Sequence, residues 1–212
     1  MRHEALTAPA PWKAEYGDFQ SGGWWTTSLM NASGDAADVR IADGAARPTA
    51  LLEHMPATAG LLAELGLNCM WVRLARLEPN AFLWEHRDYD ELDQVERHRL
   101  HIPLHTDSSA FLVTGGTRVH MGGGRIWRLT PTYAHGVCDL LGPDRIHLIA
   151  DVSADDAYTR LRGGRTQYFS ASLSVLRACA CFAVPLRRRR PYRRGPYGAA
   201  PCCCGAWWAS RW

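Results

Sequence analysis

Several things are scarce in this chain, and each scarcity excludes something. No stretch of about 18 uninterrupted apolar residues occurs, so no transmembrane helix is expected. The opening "MRHEALTAPAPWK" has no apolar core of a signal peptide, so the expectation is a soluble, cytoplasmic protein without membrane association. Lysine is almost missing: Lys13 is the only one. Acidic residues are missing from Arg177 onward, where eight arginines occur. The body, residues 1–176, therefore carries 16 basic against 21 acidic side chains, a net of −5, although the whole chain is +3. An acidic body offers no nucleic-acid surface. Cysteine is sparse in the body, with only Cys69 and Cys138, which read as free thiols. Cys179, Cys181, Cys202, Cys203 and Cys204 lie in the tail without histidines at zinc-finger spacing.

The 212 residues are 47% hydrophobic, enough for one domain with a sizeable core. Residues 1–20 read as an irregular arm, 21–31 as a turn followed by a strand, and 32–48 as a loop. Residues 49–66 carry apolar side chains at helical spacing, divided by Pro56 and stopped by Gly66. The period then changes from helical to two. Eight short strands are predicted at 69–77, 81–88, 99–104, 110–114, 117–121, 125–130, 134–138 and 145–152, separated by turn residues. Helices first and strands after give a mainly β, α+β class with a jelly roll or small barrel at 21–165. Residues 166–212, rich in Arg, Cys, Trp and Pro, read as a low-complexity tail without usable periodicity.

The chemistry centres on "LWEHRDYDEL", where a predicted strand ends in His86 and Asp88. A solvated loop, a kinase catalytic loop and a pair of metal ligands all contain such residues. A kinase requires a Gly-rich loop, a strand lysine and an asparagine soon after the His-Arg-Asp triplet, and all three are lacking. On a strand, residues two apart share a face, so His86 and Asp88 project together. A histidine from another strand completes the two-histidine, one-carboxylate triad of non-haem Fe(II) oxygenases, which leaves coordination positions open. His135, in "YAHGVCD", is the natural third ligand. Arg145, ten residues on, is placed to pair with the far carboxylate of a 2-oxoglutarate co-substrate, unless it pairs with Asp139 or Asp144. His147 shares the face of Arg145.

The stretches "HRDYDELDQVERHRLHIPLHT", "GGGRIWRL", "AHGVCD" and "DRIHLIADV" resemble the aspartyl/asparaginyl β-hydroxylase family of Fe(II)/2-oxoglutarate-dependent dioxygenases, which includes proline cis-hydroxylases. The resemblance runs from about Trp24 to Val152 and is densest from Glu85 to Asp151. It implies a double-stranded β-helix, a cupin-like jelly roll. It also implies His86, Asp88 and His135 as iron ligands and Arg145 as the 2-oxoglutarate residue. Arg99 and His101, in "RLHIPL", would be further co-substrate contacts. The implied reaction consumes O2 and 2-oxoglutarate and hydroxylates a C–H bond of an amino acid, free, carrier-bound or within a peptide. Two other readings stay open: a non-catalytic jelly-roll binding module or truncated member, and a cupin-type metalloenzyme that does not use 2-oxoglutarate.

Overall fold

The computed structural model describes residues 1–42, 45–88 and 97–163. It begins with helix α1 (Arg2–Thr7), strand β1 (Lys13–Ala14) and one 3-10 turn (Gly17–Phe19). Then come β2 (Trp24–Asn31), β3 (Arg47–Pro48), α2 (Ala50–Glu53) and α3 (Pro56–Leu65). The remaining strands are β4 (Cys69–Leu77), β5 (Phe82–His86), β6 (Arg97–His105), β7 (Ala110–Thr114), β8 (Thr117–Val119), β9 (Trp127–Leu129), β10 (His135–Asp139) and β11 (Arg145–Ser153). Helix α4 (Asp156–Gly163) follows. All eight predicted strands are present, each end within two residues of its expected place. Period-two patterning and clear turn residues account for that agreement.

The strands form two antiparallel sheets. The larger runs β1-β2-β4-β11-β6-β9, with β3 beside β2, and the smaller runs β5-β10-β7-β8. This is the expected mainly β jelly roll with helices at its N-terminal side. Two apolar clusters result, one on each face of the larger sheet. Ile146, Leu148, Ala150 and Val152 of β11 join Leu100, Ile102, Val72 and Leu74 against Leu51, Leu52 and Met55 of the helical layer. Ile149 of β11 joins Trp24, Ala75, Leu77, Leu83, Leu112 and Val137 between the sheets. Cys69 and Cys138 are free and buried, and burial pushes both thiols up to about 11. Among the described residues no helix is long and apolar enough to cross a membrane.

The helical region divides as its residues dictate. Pro56 opens α3, where its missing N–H costs nothing. Gly66 ends it in the left-handed region at φ 58°, its N–H bonded to the Leu62 carbonyl. Residues 1–20 differ from the expected arm. Ala5 is buried in the helical layer, Trp12 packs beside it, and β1 pairs with β2 at Ala14 and Trp25. The Glu4 carboxylate caps α3 across the sequence. It accepts from the Ala57 N–H at 2.7 Å, the Thr58 N–H at 3.1 Å and the Thr58 hydroxyl at 2.8 Å. A six-residue helix shows no sequence periodicity of its own, and its docking depends on partners fifty residues away. The expected tail, 166–212, lies outside the described residues.

The capping contact gives a direct test of this docking. Glu4→Ala leaves three donors at the start of α3 without their acceptor and lowers stability by about 1 kcal/mol, the usual worth of a helix cap. Urea denaturation should show a lower midpoint at unchanged slope. An unchanged midpoint would place the segment off the domain.

Candidate metal centre

The site lies between the two sheets, at the edge where β5 and β10 run side by side. His86 closes β5 and His135 opens β10, and the two are direct cross-strand partners. Gly136 permits this pairing: a Cβ there would lie 3.2 Å from the backbone of Leu83 and of Glu85, a tight approach. The imidazole centroids are 4.5 Å apart. The strand expected at 81–88 stops at His86, so Asp88 lies just beyond it, with its N–H bonded to the Pro131 carbonyl at 3.0 Å. Its side chain nonetheless turns to the same point. Asp88 Oδ1 is 3.4 Å from His86 Nε2, and Oδ2 is 3.9 Å from His135 Nε2. One donor atom from each of the three residues lies within 4.8 Å of the other two.

The protonation of this trio suits a cation. His86 Nδ1 donates to the Trp84 carbonyl at 2.7 Å, and His135 Nδ1 donates to the Tyr133 carbonyl at 2.8 Å. Each bond fixes the tautomer and leaves Nε2 with a lone pair facing Asp88. Burial pushes the His135 imidazole down to about 4 and lowers that of His86 as well. Both rings are therefore neutral near pH 7. Two neutral nitrogen donors and one carboxylate oxygen form the donor set of a divalent transition metal.

Behind Asp88 lies a network of buried charge. Arg99 Nη1 donates to Asp88 Oδ2, while its Nε and Nη2 grip Asp151 at 2.7 and 3.2 Å. Arg73 Nη1 also donates to Asp151 Oδ2 at 2.7 Å. Burial alone would raise the Asp151 carboxyl, but the two guanidinium groups hold it well below the usual carboxylate range. The resemblance implies a co-substrate contact for Arg99. In the structure its guanidinium lies on two of the protein's own carboxylates, and Arg99 also lines one cavity with His86, Asp88 and His135.

Arg145 is different. It opens β11, is 4% exposed, and has no carboxylate within ion-pair distance among the described residues. Asp144 pairs with Arg76 at 2.8 Å, and Asp139 accepts from Ser109 and Gly142. The guanidinium lies against the His147 ring, with Nη2 2.8 Å from Nδ1, and its Cζ is 5.7 Å from the Trp24 ring centre. His147 in turn lies 3.4 Å from His101 Nδ1. Burial, then the charge of Arg145, keeps both imidazoles well below their ordinary value, and burial lowers Arg145 itself to about 10. Three buried polar atoms here have no hydrogen-bond partner among the described residues: Arg145 Nη1, His101 Nε2 and Trp24 Nε1. All three belong to residues that line one cavity.

One cavity connects these parts. His86, Asp88, His135, Arg99, His101 and Arg145 all line it, so the six residues expected to hold metal or co-substrate reach the same space. The free volume is small, ≈ 20 Å³, room for about one water molecule. Tyr16 closes one side, its ring 5.7 Å from His86 and 6.0 Å from Trp24. Beyond Tyr16 a groove of ≈ 620 Å³ runs between Glu15–Phe19 and Val39–Ile41. Sequence reasoning missed Tyr16, Arg73 and Trp24 at this site. The period-two pattern of β4 puts Arg73 on the same face as Ala75 and Leu77, which was the available signal for it.

The profile of the Aspartyl/Asparaginyl beta-hydroxylase family matches residues 2–155. The chain is 32% identical over 193 residues to L-proline cis-3-hydroxylase 2 of a Streptomyces species, covering 87% of this chain and 66% of that protein. It is 31% identical over 150 residues to L-proline cis-4-hydroxylase of Rhizobium meliloti (strain 1021), covering 68% of this chain and 53% of that protein. It thus spans just under two thirds of the length of the first relative and about half of the second. A solved oxidoreductase of the 2OG-Fe(II) oxygenase family from Burkholderia pseudomallei is 16% identical with a TM-score of 0.48, over 72% of this chain and 77% of that one. The match from residue 2 takes in α1 and β1 as well as both sheets, in keeping with an N-terminal segment built into the fold. The chain belongs to the aspartyl/asparaginyl beta-hydroxylase family.

Proposed function

We propose that this chain is an Fe(II)- and 2-oxoglutarate-dependent dioxygenase that hydroxylates an amino acid or amino-acid residue. The observation that carries the reading is the pairing, in one cavity, of a His-Asp-His donor set with a buried arginine that no carboxylate of the described residues neutralises. His86 and His135 through Nε2, and Asp88 through a carboxylate oxygen, would hold the iron. Iron with 2-oxoglutarate and O2 supplies the oxidising power for C–H hydroxylation, and the protein supplies binding and orientation. Arg145 binds the far carboxylate of the co-substrate, beginning with Nη1, which has no hydrogen-bond partner among the described residues, and His101 and Trp24 present further polar atoms to it. The narrow cavity requires side chains to shift as the dicarboxylate enters. Tyr16 stands between that cavity and the larger groove, which gives the substrate its room. A free amino acid is the first class to test, with proline first, because two relatives carry L-proline hydroxylase names.

Anaerobic addition of Fe(II) and 2-oxoglutarate should produce a weak visible charge-transfer band that His86→Ala abolishes. With O2 and the correct amino acid, succinate should form and the product should gain one oxygen atom by mass spectrometry. Absence of the band in the wild-type protein would refute the proposal. Turnover that persists without 2-oxoglutarate would favour a cupin-type metalloenzyme.

Arg145→Gln should weaken 2-oxoglutarate binding at least tenfold, since a hydrogen-bonded charge is worth about 1.5–3 kcal/mol. The apo protein should be no less stable than wild type, because the substitution removes an uncompensated buried charge. Calorimetric binding and thermal unfolding of the same samples separate the two effects.

The buried imidazoles also set a pH dependence. Their folded-state pKa values lie below that of an unfolded histidine, so the unfolded chain binds protons first as pH falls. Stability should be level above about 6.5 and decline toward about 4, the folded value of His135. Urea midpoints of the apo protein between pH 7.5 and 4.5 test this. A midpoint that stays flat to pH 5 would mean that the histidines are solvated.

A further inference from the structure

Asp151 makes no contact with His86 or His135, yet the orientation of the Asp88 carboxylate depends on it. Asp88 follows the last residue of β5, and its backbone is tied at the N–H to Pro131. Strand pairing therefore does not fix the direction of its side chain. Arg99 does, by taking Oδ2 and leaving Oδ1 toward His86 Nε2. An arginine side chain has several rotatable bonds, so its fork must be held in turn. Asp151 lies directly opposite Arg99 in the pairing of β11 with β6, and grips two of its nitrogens. Arg73, on β4 at the other side of β11, holds the second oxygen of Asp151 and lies over the Trp71 ring at 3.7 Å. Every link is buried, with Asp151 2% exposed. A buried ion pair is a weak source of stability, because desolvation offsets most of the attraction. Fixed geometry is what such a chain supplies.

We infer that Asp151 is a positioning residue for the metal centre: held by Arg73, it fixes the Arg99 guanidinium and so presents one oxygen of Asp88 to the metal. This rests on the reading of His86, Asp88 and His135 as metal ligands. Asp151 lies near the end of the strand that begins with Arg145, on the same face. Arg145 contacts the His147 ring and has no carboxylate within ion-pair distance among the described residues. Asp151 is paired twice and serves another side chain.

The test is Co(II) binding to the full chain without co-substrate, followed by the visible absorption of the ion and by calorimetry. Asp151→Asn, nearly isosteric, should raise the Kd about tenfold or more, the usual effect of disturbing groups that orient a metal ligand. Arg99→Gln should weaken binding at least as much. The double variant should be no weaker than Arg99→Gln alone, because Asp151 acts through Arg99. Glu4→Ala, which destabilises a remote cap, should leave the Kd unchanged and so separates positioning from loss of stability. Should Arg99→Gln not fold, Arg99→Lys keeps the charge without the fork and takes its place in the cycle. An unchanged Kd in Asp151→Asn, or additive losses in the double variant, would overturn the inference while leaving the metal centre standing. A wild-type protein that binds no Co(II) would overturn both.

Discussion

The inner face of β11 is the constraint around which the rest is arranged. Successive side chains of a strand point to opposite faces. On β11 one face reads Ile146, Leu148, Ala150 and Val152, and the other reads Arg145, His147, Ile149 and Asp151. The first set anchors the helical layer. The second places charge inside a protein, where an unpaired ion is unfavourable by several kcal/mol. At the Asp151 end that demand is met by arginines on both neighbouring strands, which also ties β4, β11 and β6 together. At the Arg145 end it is not met by any carboxylate among the described residues. One strand thus carries both a satisfied and an unsatisfied charge, and the difference marks where a ligand belongs.

The same period explains what was legible in the sequence. The eight strands alternate cleanly and end in turn residues, so their limits were readable to within two residues. His86 and Asp88 were readable as a pair, and His135 as their partner, because histidine and aspartate are poor choices for a buried strand end without a task. The pair converges for a different reason from the one expected, since Asp88 has already left the strand and is aimed by Arg99. For Arg99 the motif gives a position but not its protein partners. The pattern "RLHIPL" places it on the inner face beside His101, but which carboxylates it meets depends on the register of β6 against β11, and single-residue spacing does not encode register. Arg73 stayed hidden for the same reason.

The N-terminal segment was the larger omission, and its physics is instructive. Six helical residues and a two-residue strand are too short to announce themselves by periodicity. Their stability comes from long-range contacts: Glu4 on the start of α3, Ala5 in the helical layer, Ala14 against Trp25. Once docked, the segment brings Tyr16 to rest against His86 and Trp24. A stretch without regular pattern thereby supplies one wall of the cavity and the near side of the groove beside it.

The unsatisfied atoms bear on stability as well as on chemistry. Arg145 Nη1, His101 Nε2 and Trp24 Nε1 are all buried without hydrogen-bond partners among the described residues, and two imidazole lone pairs face a carboxylate in the same space. In a closed core each of these would be a defect, unfavourable by about 1–3 kcal/mol. Arg145, His101 and Trp24 line one cavity together with the His-Asp-His donor set. A cation at the Nε2 atoms and an anion at the guanidinium would satisfy most of them at once. Ligands that bind only the folded state stabilise it in proportion to their affinity. On the proposed function, the empty protein is therefore weakest where the loaded protein is most firmly held. Folding and loading become coupled through the few residues at the two ends of β11.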